Sequence, residues 1–121
     1  MKKDPLIYIT HIKSCIDKII SYTQDMDEAG FVKNSMVQDA VIRNFEIIGE
    51  ATKNIDSEFR NKYPKIEWKK ISGMRDKLIH DYIGVDNWAV WGVVKNIIPE
   101  FSNQINDIIA AEGNGKKPPL E

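Results

Sequence analysis

The chain has 121 residues, 42% of them hydrophobic and 29% charged, with a net charge of −1 at pH 7. That is enough apolar material for one ordinary domain whose core needs no covalent staple. The single cysteine, Cys15, excludes an internal disulfide and a thiolate-based metal site, which points to a reducing cytoplasm. Residues 6–20 alternate apolar and polar at helical spacing, so neither a signal peptide nor a membrane span is expected.

In chain order, Asp4-Pro5 is a helix start, with a capping carboxylate followed by proline. Ile9, Ile12, Ile16 and Ile19 recur at steps of three and four, and this first helix is expected to end near Thr23. Residues 24–34, with Gly30 and several acids, read as a loop. Asn34 or Ser35 can cap a second helix that carries Val37, Val41, Ile48, Ala51 and Ile55 on one face, with Phe45 flanking it. Asp56-Ser57 is the expected end, and a short helical turn precedes Tyr63-Pro64.

A third helix is expected over roughly 66–80, with Trp68, Ile71, Met74 and Leu78 as its apolar positions. After Gly84-Val85-Asp86, a fourth carries Trp91, Val94, Ile98, Phe101, Ile105 and Ile108 in a near-heptad seam. Pro99 should kink it or split it in two. No stretch alternates with period two. The expected fold is all-α, an antiparallel bundle of four to five helices over residues 1–112, with a disordered tail at 113–121. Gly49, Gly73 and Gly92 fall inside expected helices, where glycine costs about 1 kcal/mol relative to alanine. They suggest close approach of a helix or a ligand.

Charge is unevenly spread. Residues 60–77 hold Arg60, Lys62, Lys65, Lys69, Lys70, Arg75 and Lys77 against Glu67 and Asp76, a local balance of +5. Residues 17–58 carry −5. Such a block is either a solvated helix face or a footprint for a polyanion.

The chemistry concentrates in Arg75-Asp76-Lys77-Leu78-Ile79-His80-Asp81-Tyr82. An imidazole titrates near neutrality and can take the proton from a ribose 2′-hydroxyl. A guanidinium can stabilise the extra charge on a phosphorane by paired hydrogen bonds. The set therefore suits RNA cleavage without a metal. No metal is expected, because His11 and His80 are isolated and there is no thiolate pair. Asp76, four residues before His80, can reach the imidazole and orient it. Five residues separate Arg75 from His80, about 140° around an ideal helix, so one helix does not aim both at one phosphate. Either the helix loosens there or two copies pool their motifs across a two-fold axis. The bland reading is a helix end on which His80 answers the helix dipole and Arg75 is a surface charge.

The stretch Arg75 to Tyr82 resembles the R-x4-H-x-Y signature of the HepT-like branch of the HEPN ribonuclease toxins. Gln38 to Ala51 is similar to the second helix of that family, and Trp68 to Met74 and Trp88 to Pro99 also match it, so the resemblance covers roughly residues 5–110. It implies a dimeric helical bundle whose paired motifs form a composite ribonuclease site. It also implies a toxin that cleaves RNA, held in check by an MntA-type nucleotidyltransferase antitoxin that transfers AMP from ATP to the motif tyrosine. Carried onto this sequence, Arg75 and His80 are catalytic, Tyr82 is the modified residue and Asp76 supports them. Lys69, Lys70 and Lys77 of the basic block would hold RNA. No cofactor, DNA or membrane is implied.

Other positions stay open. Glu50 either orients Arg75 or is, like Arg43, a surface charge. Trp91 belongs to the core stripe, whereas Trp88 suits an interface or a base. A second class of function is a non-catalytic helical module that binds and positions a nucleotidyltransferase or a nucleotide.

Overall fold

The computed structural model describes residues 4–73 and 86–113. All regular structure among them is helical. Helix α1 (Pro5–Thr23) begins where Asp4 accepts a hydrogen bond from the Leu6 amide at 3.0 Å, with proline at the first helical position. Ile9, Ile12, Ile16 and Ile19 are buried as one stripe. Cys15 is buried beside them.

The expected loop at 24–34 is instead built around a short helix, α2 (Glu28–Val32). Asp27 caps it, accepting from the Gly30 amide at 2.8 Å. Its one buried residue, Phe31, is fully inside, with its ring centroid 5.3 Å from that of Trp91. A five-residue helix with a single core contact leaves no periodicity to read, which is why the sequence concealed it.

Helix α3 (Ser35–Lys53) starts at Asn34, whose side-chain oxygen accepts from the Val37 amide at 3.0 Å. Val41, Phe45, Ile48 and Ala51 are buried, so Phe45 stands in the core rather than at its flank. Two polar residues share that face. Asn44 donates to the Ala40 carbonyl at 2.8 Å and Thr52 to the Ile48 carbonyl at 2.7 Å, so each enters the core with a hydrogen bond to its own helix. The helix stops before Asp56-Ser57, because Asp56 is committed to the next helix. Its carboxylate accepts from the Phe59 amide at 2.9 Å and starts α4 (Ser57–Lys62). Ile55, buried in the intervening turn, stays in the core.

Helix α5 (Trp68–Ser72) occupies the beginning of the expected third helix; its continuation through Met74 and Leu78 to residue 80 lies outside the described residues. The expected fourth helix is divided into α6 (Asn87–Asn96) and α7 (Ile98–Gly113). The division falls at Ile97, and Pro99 then occupies the first turn of α7, where its missing N–H costs nothing.

Helix α1 packs against α3 and α7, α3 also packs against α5, and α2 lies between α3 and α6. All feed one hydrophobic core. The described residues thus hold seven helices rather than four to five: α4 is the short turn expected before Tyr63-Pro64 and α5 begins the expected third helix, while α2 and the division of the fourth helix make up the excess. No helix among the described residues is long and apolar enough to cross a membrane. The expected tail at 113–121 lies outside the described residues, apart from Gly113, which ends α7.

Candidate functional site

Arg75, Asp76, Lys77, His80 and Tyr82 lie outside the described residues, but the elements on either side of them are defined. On the near side, Trp68 is buried and its indole N–H donates to the Tyr63 carbonyl at 3.0 Å. Ile71 is buried one turn later, and Gly73 closes α5 with its amide on the Lys69 carbonyl at 3.0 Å. On the far side, Asp86 caps α6 by accepting from the Trp88 and Ala89 amides, both at 3.1 Å. Val90 and Trp91 then enter the core. Both approaches to the motif are therefore anchored by buried side chains.

The basic block proves to be of two kinds. Arg60 is structural: its Nε donates to the Ile55 carbonyl at 3.0 Å and its Nη2 to the Thr52 carbonyl at 2.6 Å. A guanidinium there adds a charged donor to carbonyls at and just beyond the C-terminus of α3, and its positive charge complements the negative end of the helix dipole. Lys62 is spent on Glu112, at 2.8 Å. Lys65, Lys69 and Lys70 are exposed, and Lys70 is only loosely paired with Glu67 at 3.7 Å. Those three are the lysines of the described block that an anion could recruit.

Tyr63, at the end of α4, donates its hydroxyl to Glu112. Burial, and then the Glu112 carboxylate it bonds to, push its phenol up to about 12. The three tryptophans also separate. Trp68 has spent its N–H. Trp91 is buried, with the Lys95 ammonium 5.1 Å from its ring centroid. Trp88, 58% exposed at the start of α6, is the indole free to stack on a base or a partner. Arg43 and Glu50 are both exposed on α3, and the Glu50–Arg75 pairing lies outside the described residues.

One feature went unread in the sequence. Asn87, the first residue of α6 and five positions after Tyr82, has a buried side-chain oxygen with no hydrogen-bond partner among the described residues. A buried acceptor left unpaired costs about 1–3 kcal/mol. Its signal is only positional, an asparagine directly after a capping aspartate. Beside α5, a cleft of about 420 Å³ opens toward the junction of α6 and α7. Among the described residues, no group of three or more His, Cys, Asp or Glu is placed to hold a metal ion.

Comparison with known proteins supplies the family. The family model described as "Ribonuclease HepT-like" matches residues 12–108, a span that includes the motif. A protein of Methanocaldococcus jannaschii named "Putative RNase MJ0125" is 46% identical over 108 residues, covering 89% of this chain and 93% of that protein. "Probable ribonuclease HepT" of Thermococcus cleftensis is 39% identical over 108 residues, 89% of this chain and 98% of that one. A third relative, the M. jannaschii "Gamma-glutamylcyclotransferase and putative RNase MJ0434", is 49% identical over 109 residues, but these make up only 49% of its length. No solved structure matches the chain. With its family model spanning most of the sequence, the chain belongs to the HepT-like ribonuclease family.

Proposed function

We propose that this protein is a metal-independent endoribonuclease and the toxin of a type VII-like toxin–antitoxin pair. The observation that carries the reading is the spacing of Arg75 and His80 in a chain of this family. In the proposed reaction the His80 imidazole takes the proton of a ribose 2′-hydroxyl. The oxygen attacks the adjacent phosphorus, the bond to the 5′-oxygen breaks, and that oxygen leaves with a proton from a second imidazole or water. Arg75 holds the phosphorane oxygens, and Asp76 orients the imidazole.

Two copies of the chain serve this chemistry better than one. An ideal helix sets Arg75 and His80 about 140° apart, so a two-fold axis beside the motif lets the arginine of one copy meet the histidine of the other. Lys69, Lys70 and Lys77 would draw RNA to such a site; the first two are exposed immediately ahead of the motif.

Tyr82 is assigned to control. A nucleotidyltransferase of the MntA type would present ATP to it; the phenol oxygen attacks the α-phosphorus, pyrophosphate leaves, and the phenol proton goes to solvent. The resulting AMP brings a phosphate and a base two positions from His80, where it competes with substrate for Arg75.

The test is purified protein mixed with RNA in the presence of chelator. Cleavage by the wild type, lost in His80→Ala with the oligomer intact, supports the reading. Absence of cleavage by clean wild type overturns it in favour of a non-catalytic module that positions a nucleotidyltransferase or a nucleotide. Light scattering that shows a monomer at micromolar concentration removes the composite site. Mass increments of AMP that persist in Tyr82→Phe would move the modification elsewhere.

A further inference from the structure

We infer that the cleft between α5 and the α6–α7 junction is a nucleobase subsite, which reads one unpaired base of the RNA beside the cleavage site. The inference rests on the ribonuclease reading and adds to it a source of sequence preference. At about 420 Å³ the cleft falls in the range of small-ligand sites, roughly 300–1,000 Å³. One wall is α5 and the segment leading into it, which presents Lys65, Glu67 and Lys70. The other is the helix break, which presents Asn96, Glu100 and Gln104.

The chemistry of these walls favours a base over a bare phosphate. Two lysines and two glutamates line the cleft, so the lining has no net charge to offer an anion. The surplus capacity is in the carboxamides. Asn96 is the last residue of α6, and Gln104 is half-buried two turns along α7 from the break at Ile97. Neither side chain makes a hydrogen bond among the described residues, although each offers two donors and an acceptor. Asparagine and glutamine pair with base edges in this bidentate way, and glutamate accepts from an exocyclic amine. Single-stranded RNA exposes such edges, whereas a duplex does not. Lys65 and Lys70, exposed at the rim, suit the phosphates flanking the base.

The location matches the role. Ile71, at the floor of the cleft, is buried and stands four residues before Arg75. A base seated there would be held by the same element that leads into the motif. The cleft also depends on Pro99 and the helix break, since an unbroken helix would carry Asn96 and Gln104 along a single rod.

Binding is best measured on His80→Ala protein by fluorescence anisotropy, with short single-stranded RNAs that differ in one base, so that the outcome does not require cleavage. The expected result is a preference among bases of about tenfold, the size of one good bidentate contact. In the same background, Asn96→Ala with Gln104→Ala should flatten the preference to under about twofold, with circular dichroism and unfolding temperature unchanged. Gln104→Glu, which exchanges two donors for acceptors, should change which base is favoured. An unaltered preference in the double variant overturns the inference, as does an equal loss of affinity for every base. If wild type cleaves no RNA while these binding shifts appear, the ribonuclease reading fails and the subsite stands.

Discussion

The hydroxyl of Tyr63 donates a hydrogen bond to the carboxylate of Glu112, joining the end of α4 to the last turn of α7. Glu112 sits at a helix C-terminus, where a negative charge opposes the helix dipole. Lys62, at 2.8 Å, compensates that charge. The contact also reaches the approach to the motif, because the Tyr63 carbonyl receives the Trp68 indole N–H at 3.0 Å.

This arrangement sets an alkaline limit. The Tyr63 phenol is raised from 10 to about 12 by burial and by Glu112. Between those values the folded protein keeps a proton that the unfolded chain releases, so the contribution is complete below pH 10 and lost as pH rises through 12. Urea midpoints of wild type should fall more steeply over that interval than those of Tyr63→Phe. Parallel curves would show that the phenol proton is not linked to folding.

Arg60 and Lys65 should respond to mutation in opposite ways. Arg60→Ala strips a charged donor from the Thr52 and Ile55 carbonyls and should cost about 1.5–3 kcal/mol of stability, read from chemical denaturation. Lys65→Ala, at an exposed position, should leave stability within about 0.5 kcal/mol. It should weaken RNA binding and reduce its salt dependence by about one phosphate's worth of counterion release.

Phe31 tests the correction at α2. It is fully buried against Trp91, and Phe31→Ala should cost about 3–5 kcal/mol. A loss below about 1 kcal/mol would mean that α2 is not part of the core.

Gly92 is expected to tolerate a methyl group. A Cβ built there finds its nearest neighbour, the Asn96 side-chain nitrogen, at 4.0 Å, an ordinary contact. Among the described residues, the close approach suggested by a glycine inside a helix is therefore not found at this position. Gly92→Ala should stabilise the protein by about 0.5–1 kcal/mol, visible as a higher unfolding temperature.

Cys15 should be inert. Burial raises its thiol pKa against the smaller lowering effect of Lys18. An aromatic disulfide reagent should label it in urea and not in native protein. Labelling at the unfolded rate in native buffer would contradict its burial.

Some of this was legible in the sequence because its physical cause is local. Asp4-Pro5 and Asn34 announce helix starts through their own side chains, the isoleucines of α1 repeat at the helical period, and Pro99 marks the break. What escaped is settled by partners distant in sequence. Arg60 looked like part of an anion footprint because nothing near it reveals that it folds back onto Thr52. Asn44 and Thr52 broke the apolar pattern of α3, yet both are buried, each with a hydrogen bond to its own helix. The candidate site was recognised from residue types and spacing. The cleft assembled from α5 and the α6–α7 junction had no contiguous signature.

The packing of α1 against α7 has a consequence for biosynthesis. The isoleucine stripe of the first helix shares its core with Phe101, Ile105 and Ile108 of the last. During translation α3 can cover part of that stripe early, but the part that α7 covers must wait until residues 98–113 have been made. The segment with Arg75, His80 and Tyr82 is made before the helix that closes the scaffold, so a nascent chain carries the motif before it can complete the fold that frames it.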